Sequence, residues 1–193
     1  LEKVRDVELI NGIQKEIIIV NDCSSDETVA AVERFKDANP TLNLALFNQD
    51  RNQGKGAAIN RAIQLCSGDY LIVQDADLEY DPEEYNLLLK PVLKADADVV
   101  YGSRFVGANP HRILFYWHSK GNKFLTGLSN AMTNLNLTDM ETCYKLIRSS
   151  IAKEIKIKEK RFGIEPEITA KLAKVKGIKI YEVGISYYGR TYE

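Results

Sequence analysis

Short β-branched runs alternate with helical segments along this chain, and that alternation constrains the fold more than any other feature. The run Glu16–Asn21 (EIIIVN) is almost continuously apolar, which is typical of a central strand covered on both faces. Alternation of this kind predicts an α/β fold, with a mostly parallel central sheet flanked by helices. Further strands are predicted over Leu42–Asn48, Tyr70–Gln74, Asp98–Ser103, Thr142–Ile147 and Ile178–Ile185.

Helix-start signals place helices between these strands. Ser24 and Glu27 fit a capping box that opens a helix through Ala38. Asp81 is a candidate N-cap and Pro82 follows at the first helical position, which predicts a helix through Lys94. The remaining predicted helices are Gly56–Cys66, Arg112–Asn134 and Pro166–Lys176.

Composition narrows the classes of function. The chain has 193 residues, of which 45% are hydrophobic and 27% charged, with a net charge of -1. These values are typical of one soluble globular domain, whereas a dedicated nucleic-acid binder would be basic. The three cysteines are widely spaced, which favours reduced thiols in a cytosolic compartment over a disulfide framework or a zinc site.

The sharpest candidate site is Asp75-Ala76-Asp77, directly after a predicted strand. Alternate residues of an extended chain point to the same side, so both carboxylates can reach one point beyond the strand's carboxyl end. Carboxylate oxygens suit Mg²⁺ or Mn²⁺, which also bridge a diphosphate. Glu79 repeats the spacing and is a candidate third ligand. A solvated acidic turn explains the same residues, so the motif alone leaves both interpretations open.

Two further loops carry polar residues at the ends of predicted elements. Asp22 follows the strand EIIIVN, and Ser24 or Asp26 can cap the next helix without it. Asp22 is therefore a candidate acceptor for hydrogen bonds from a base or ribose. Gly54 and Lys55 lie in an NQGKG turn at a helix start, where free N–H groups can hold an anion. An ordinary turn is the commoner explanation of that segment.

Arg104 and two carboxylates complete the set of candidates. Arg104 follows the strand ending at Ser103, and its guanidinium can grip phosphate oxygens as a fork, although a lone arginine is more often a surface ion pair. Asp139 and Glu141 are candidate general bases, although isolated carboxylates are more often solvated.

An apolar stretch precedes a basic segment in the second half of the chain. Ile113–Leu128 is rich in large apolar residues, and Lys145–Arg161 holds seven Lys or Arg against two Glu. That order fits a face lying on an anionic membrane surface. Core packing is the commoner role for such apolar side chains, and a solvated helical face is the commoner role for such charges.

In their order along the chain, these motifs resemble the family 2 glycosyltransferases, specifically the branch like dolichol-phosphate mannose synthase. Single motifs of this kind are weak, but the series spans nearly the whole chain and is specific. The matching stretches are IIIVNDCSSDET, NQGKGAAINRA, GDYLIVQDADLEYDP, VVYGSRF, LTDMETCYKL, RFGIEPEI and VGISYYGRTYE.

The resemblance implies a GT-A fold, the nucleotide-diphospho-sugar transferase fold, with a UDP- or GDP-sugar donor and a divalent cation. The roles it implies are Asp22 on the base, Asp75 and Asp77 on metal and diphosphate, Arg104 on the donor phosphates, Asp139 as catalytic base, and Arg190 in a segment that closes over the donor. The family often has Gln where Glu79 stands, which weakens the case for a third ligand.

The implied reaction is inverting transfer of a sugar to a polyprenyl phosphate, on the cytoplasmic face of a membrane. A soluble or polysaccharide glycan acceptor, nucleotidyl transfer and a binding-only homologue are the alternatives. The resemblance also implies a strand before Leu1 and a continuation after GRTYE. Residues 1–193 are therefore expected to be one catalytic domain, incomplete at both ends, that folds poorly and binds its donor weakly.

Overall fold

The computed structural model describes residues 1–107, 115–161 and 163–188. Its strands are β1 (Ile17–Asn21), β2 (Leu44–Asn48), β3 (Tyr70–Ile72), β4 (Val99–Ser103), β5 (Lys145–Arg148) and β6 (Ile180–Gly184). Its helices are α1 (Glu2–Asp6), α2 (Thr28–Ala38), α3 (Lys55–Leu65), α4 (Tyr85–Ala95), α5 (Tyr116–Thr133), α6 (Ser149–Glu154) and α7 (Ile164–Leu172).

The described strands form two sheets. β1 and β2 pair in parallel, and the larger sheet has the order β3-β5-β4-β6. β4 and β6 are parallel, whereas β5 runs antiparallel to both β3 and β4. The α/β class is confirmed, and the larger sheet is mixed because the chain re-enters it after α5 in the opposite direction.

The reversed direction of β5 decides what lies at the carboxyl end of β4. In an antiparallel pair, one strand begins where its neighbour ends. The N–H of Gly102 donates to the carbonyl of Tyr144 at 2.8 Å, and the hydroxyls of Ser103 and Thr138 lie 2.6 Å apart. The loop 138–144 is thereby carried to the edge of the sheet at which β3 and β4 end.

The start of α2 differs from the sequence prediction. The helix begins at Thr28, whose N–H donates to Asp26 Oδ1 at 3.0 Å. The N–H of Ser24 is taken by Asn21 Oδ1 at 3.1 Å. The predicted capping box of Ser24 and Glu27 is therefore wrong, because side chains of the loop itself hold the backbone there.

The predicted cap at Asp81 is confirmed. Asp81 Oδ1 accepts a hydrogen bond from the N–H of Glu83 at 3.2 Å. Pro82 opens a short 3-10 turn, Pro82–Glu84, that leads directly into α4. The fixed φ of proline suits this first position, where no N–H is needed.

β4 lies at the centre of the core, and all five of its residues are buried. Val100 belongs to an apolar cluster with Leu88 of α4. Val99 and Tyr101 belong to a second cluster with Leu172 of α7. Because alternate residues of a strand point to opposite faces, helices cover both sides of this strand, and the loop that follows it is held firmly.

Candidate functional site

The carboxylate of Asp22 holds the glycine turn that precedes α3. Asp22 Oδ1 accepts hydrogen bonds from the N–H of Gln53 and from Gln49 Nε2, both at 2.7 Å. Asp22 Oδ2 accepts from the N–H of Gly54 at 2.7 Å. The anion that a helix N-terminus attracts is thus supplied by the protein itself. Contact of Asp22 with a base, and of Gly54 with a donor, stay predictions.

The two glycines of this turn are required by close packing against residues 159–160. A Cβ on Gly54 would lie 2.3 Å from the carbonyl oxygen of Lys160, and one on Gly56 would lie 2.3 Å from that of Glu159. The N–H of Gly56 also donates to the carbonyl of Lys160 at 2.9 Å. Gly54 adopts a φ of 94°, which other residues rarely do.

Lys55 joins Asp75 to a residue that sequence reasoning did not single out. Lys55 Nζ lies 2.9 Å and 3.1 Å from the two carboxylate oxygens of Asp75. It also lies 3.5 Å from Glu165 Oε1, in the first turn of α7. Burial works to lower the pKa of Lys55, but the negative groups of its neighbours outweigh burial and the pKa is raised.

Asp77 bonds locally within the acidic motif, and Glu79 bonds to residues near the carboxyl end of the described chain. Asp77 Oδ1 accepts from the N–H of Glu79 at 3.1 Å. Glu79 Oε2 accepts from the hydroxyl of Tyr187 at 2.8 Å, and the carbonyl of Glu79 accepts from the N–H of Tyr188 at 3.0 Å. Glu79 as a metal ligand stays a prediction, since its carboxylate already bonds to a tyrosine here.

Asp75 and Asp77 as ligands of a divalent cation stay predictions. Mg²⁺ and related ions often bind one or two protein carboxylates and take substrate phosphate oxygens as their other ligands. Within residues 1–107, 115–161 and 163–188, no three His, Cys, Asp or Glu side chains are grouped as a metal site.

Arg104 and Asp139, two predicted site residues, form a buried ion pair with each other. Arg104 Nε lies 2.7 Å from Asp139 Oδ2, and the nearer terminal nitrogen lies 2.8 Å from Oδ1. The Asp139 side chain is 0% exposed and that of Arg104 is 13% exposed. Burial works to lower the pKa of Arg104, but its hydrogen bonds with Asp139 outweigh burial and raise the pKa.

Asp139 accepts two further hydrogen bonds. The backbone N–H of Arg104 donates to Oδ2 and Asn122 Nδ2 of α5 donates to Oδ1, both at 3.1 Å. Both oxygens of the Asp139 carboxylate therefore accept hydrogen bonds. Glu141, the other candidate base, is half-buried, and burial raises its pKa.

Tyr187 links the two halves of the site. Its hydroxyl bonds to Glu79, and its ring lies under the guanidinium of Arg104 at 5.3 Å. Tyr187, Asn122 and Glu165 were missed because only the fold brings them near the motifs. Glu165 lies in the stretch GIEPEI and Tyr187 in VGISYY, so the resemblance of these stretches to the family was a signal for both residues. Arg190 lies outside the described residues.

Helix α5 has its polar side inward and its apolar side outward. Thr126 and Ser129 are buried, at 3% and 8% exposed, whereas Trp117 is 79% exposed and Phe124 is 71% exposed. Positions seven apart lie on the same face of a helix. The expected core packing of Ile113–Leu128 is therefore wrong for its described residues. No described helix is both long and apolar enough to span a membrane.

Comparison with known proteins identifies the family of this chain. Residues 1–156 match the model of the glycosyl transferase family 2, and the chain belongs to that family. It is 26% identical over 181 residues to the dolichol-phosphate mannosyltransferase of Pyrococcus furiosus. The aligned region covers 92% of this chain and 49% of that protein. The chain thus spans about half the length of that relative.

Solved structures share the fold. Glucosyl-3-phosphoglycerate synthase from Mycobacterium tuberculosis, in complex with Mn²⁺, UDP and phosphoglyceric acid, superposes with a TM-score of 0.70 at 15% identity, covering 95% of this chain and 63% of that one. A mannosyltransferase from Pyrobaculum calidifontis, in complex with GDP-Man and Mn²⁺, gives 0.64 at 18% identity, covering 96% and 51%. The predicted GT-A fold is confirmed.

A side chain at Gly56 tests the packing of the turn. We expect Gly56→Ala to lower the free energy of unfolding by about 1–3 kcal/mol, because the new methyl group meets the Glu159 carbonyl. Chemical denaturation measures the change. Gly127→Ala on α5 is the matched control, since nothing lies within 4 Å of its Cβ position and alanine favours a helix. Equal stability of the two variants would contradict the packing argument.

Proposed function

We propose that this chain is the catalytic domain of an inverting glycosyltransferase that transfers a sugar from a UDP- or GDP-sugar to a polyprenyl phosphate, with Mg²⁺ or Mn²⁺. One observation carries the proposal. Asp75, which follows β3, pairs with Lys55, and Arg104, which follows β4, pairs with Asp139, so both ion pairs lie at the sheet edge where open α/β sheets bind ligands. Membership of the family supports the same class of reaction.

The chain offers both charges that the donor requires. Asp75 and Asp77 would hold the divalent cation, which neutralises negative charge on the departing nucleoside diphosphate. Arg104 presents a planar guanidinium, which suits paired phosphate oxygens. In the described structure that guanidinium is held by Asp139, so donor phosphates must compete with a carboxylate for it.

The exchange of Arg104 from Asp139 to the donor gives Asp139 its proposed catalytic role. Its carboxylate becomes free to orient the acceptor beside the sugar carbon, on the side opposite the leaving diphosphate. A phosphate monoester is largely ionised at neutral pH, so a polyprenyl phosphate needs orientation rather than deprotonation. For a hydroxyl acceptor, Asp139 would take the proton.

The outward apolar face of α5 favours a lipid acceptor over a soluble one. Asn122, on the inner side of this helix, contacts Asp139, so the helix reaches from the site to the surface. Its outer side carries Trp117 and Phe124, and Trp is enriched where proteins meet the membrane interface. Lys120 and Lys123 of the same helix add charges that attract anionic headgroups. We place the active protein at the cytoplasmic face of a membrane.

Donor binding is the first test of the proposal. At about 100 times its dissociation constant, the correct nucleoside diphosphate should stabilise the chain by roughly 2.7 kcal/mol. We expect thermal unfolding to shift with either UDP or GDP, in a manner that requires Mn²⁺ and is lost in Asp77→Ala. A shift in thermal unfolding that occurs without Mn²⁺ and persists in Asp77→Ala would contradict the proposed metal site. Release of pyrophosphate from a nucleoside triphosphate in the presence of a sugar phosphate would indicate nucleotidyl transfer instead.

Asp139→Asn separates catalysis from donor binding. We expect sugar transfer to fall by about 10²-fold, the usual cost of losing a group that positions the acceptor. Donor affinity should hold or rise, because Arg104 loses its competing carboxylate. Transfer of labelled sugar and calorimetric titration of the donor measure the two quantities. Normal turnover in the variant would exclude the catalytic role.

Liposome co-sedimentation tests the lipid-facing helix. We expect the chain to bind anionic vesicles, and the double variant Trp117→Ala with Phe124→Ala to bind at least about tenfold less, since each side chain loses roughly 1.5–3 kcal/mol of burial. Leu93→Ala on α4 is the control, because Leu93 is 46% exposed on a different helix. Binding that survives the double variant would favour a soluble acceptor.

A further inference from the structure

The amine of Lys55 lies where a divalent cation would have to bind. It faces both carboxylate oxygens of Asp75, at 2.9 Å and 3.1 Å. The side chains of Lys55 and Asp75 are 33% and 30% exposed, so water screens the pair only in part. A divalent cation cannot take those oxygens while the ammonium stays, because like charges at such distances repel strongly in a poorly solvated site.

Glu165 is placed to keep the amine nearby when Asp75 gives it up. Its carboxylate is 3.5 Å from Lys55 Nζ, and its side chain is 14% exposed. The flanking residue Ile164 and the later Leu172 of α7 are both 0% exposed, so packing fixes this helix. Glu165 therefore offers a second carboxylate on an immobile support.

We propose that Lys55 is an internal counter-ion that competes with the divalent cation for Asp75, and that Glu165 is the positioning residue that retains the displaced ammonium. This inference rests on the proposed function, since the incoming cation is the one that accompanies the donor. Metal alone binds weakly because it must expel Lys55. Metal with a nucleoside diphosphate binds well, because phosphate oxygens add a second partner for the ammonium that Glu165 retains nearby.

Titration of the full chain with Mn²⁺ tests the proposal without any turnover. Free Mn²⁺ is followed by electron paramagnetic resonance, with and without UDP or GDP. We expect Lys55→Met to bind Mn²⁺ at least about tenfold more tightly than wild type in the absence of nucleotide. Lys55→Arg should restore weak binding, because it keeps the charge.

The coupling between Mn²⁺ and nucleotide separates direct competition from a general change in charge. In wild type, nucleotide should raise Mn²⁺ affinity strongly, and Lys55→Met should reduce that ratio several-fold. Arg61→Met removes an exposed charge from the same helix and should leave the ratio unchanged. Glu165→Gln should weaken Mn²⁺ binding without nucleotide and raise KM for the donor more than it lowers kcat.

Two outcomes would overturn the inference in different ways. If the wild-type chain fails to bind Mn²⁺ in the presence of UDP and also in the presence of GDP, both the proposed function and this inference are wrong. If the wild-type chain binds Mn²⁺ together with a nucleotide, but Lys55→Met leaves the metal affinity and the coupling unchanged, only this inference is wrong.

Discussion

The ion pair between Arg104 and Asp139 joins two loops that approach the site from opposite directions. One loop leaves β4 and the other precedes β5, and these strands are antiparallel. Removing one partner of a buried pair typically costs about 3–5 kcal/mol, because the other charge is left without compensation. Asn122 and Tyr187 both contact the pair, so α5 and the carboxyl end of the described chain depend on it too.

The site is arranged as a set of charges that satisfy one another before any donor arrives. Asp22 accepts hydrogen bonds from the turn before α3, whereas Asp75 forms an ion pair with Lys55 and Asp139 forms one with Arg104. Each contact joins segments that are distant in sequence. Under the proposed function, a donor would gain affinity only by offering a better partner than the existing one. Such a site would favour a ligand that brings both a cation and a diphosphate.

The strands that precede the acidic motif and Arg104 could be predicted because buried β-branched runs are distinctive, although β3 ends at Ile72 and not at Gln74. Sequence reasoning could not give the direction of β5, since the hydrophobic pattern of a strand is the same in either direction. The pairing of Arg104 with Asp139 depends on that direction. The capping box failed because Asn21 and Asp26 bond locally to the backbone. Glu165 and Asn122 become visible only when α7 and α5 are packed against the sheet.

The inverted polarity of α5 also has a consequence for how this helix unfolds. Its attachment to the body relies on side-chain hydrogen bonds, such as those of Asn130 with the backbone of Leu137, and less on apolar contact. A hydrogen bond contributes modestly to the free energy of unfolding, because its donor and acceptor bond to water when the contact opens. Apolar side chains have no equivalent interaction with water. The helix is therefore a region of low local stability, whose amides should exchange with solvent faster than those of β4. Contact with an apolar phase would raise the protection of the α5 amides.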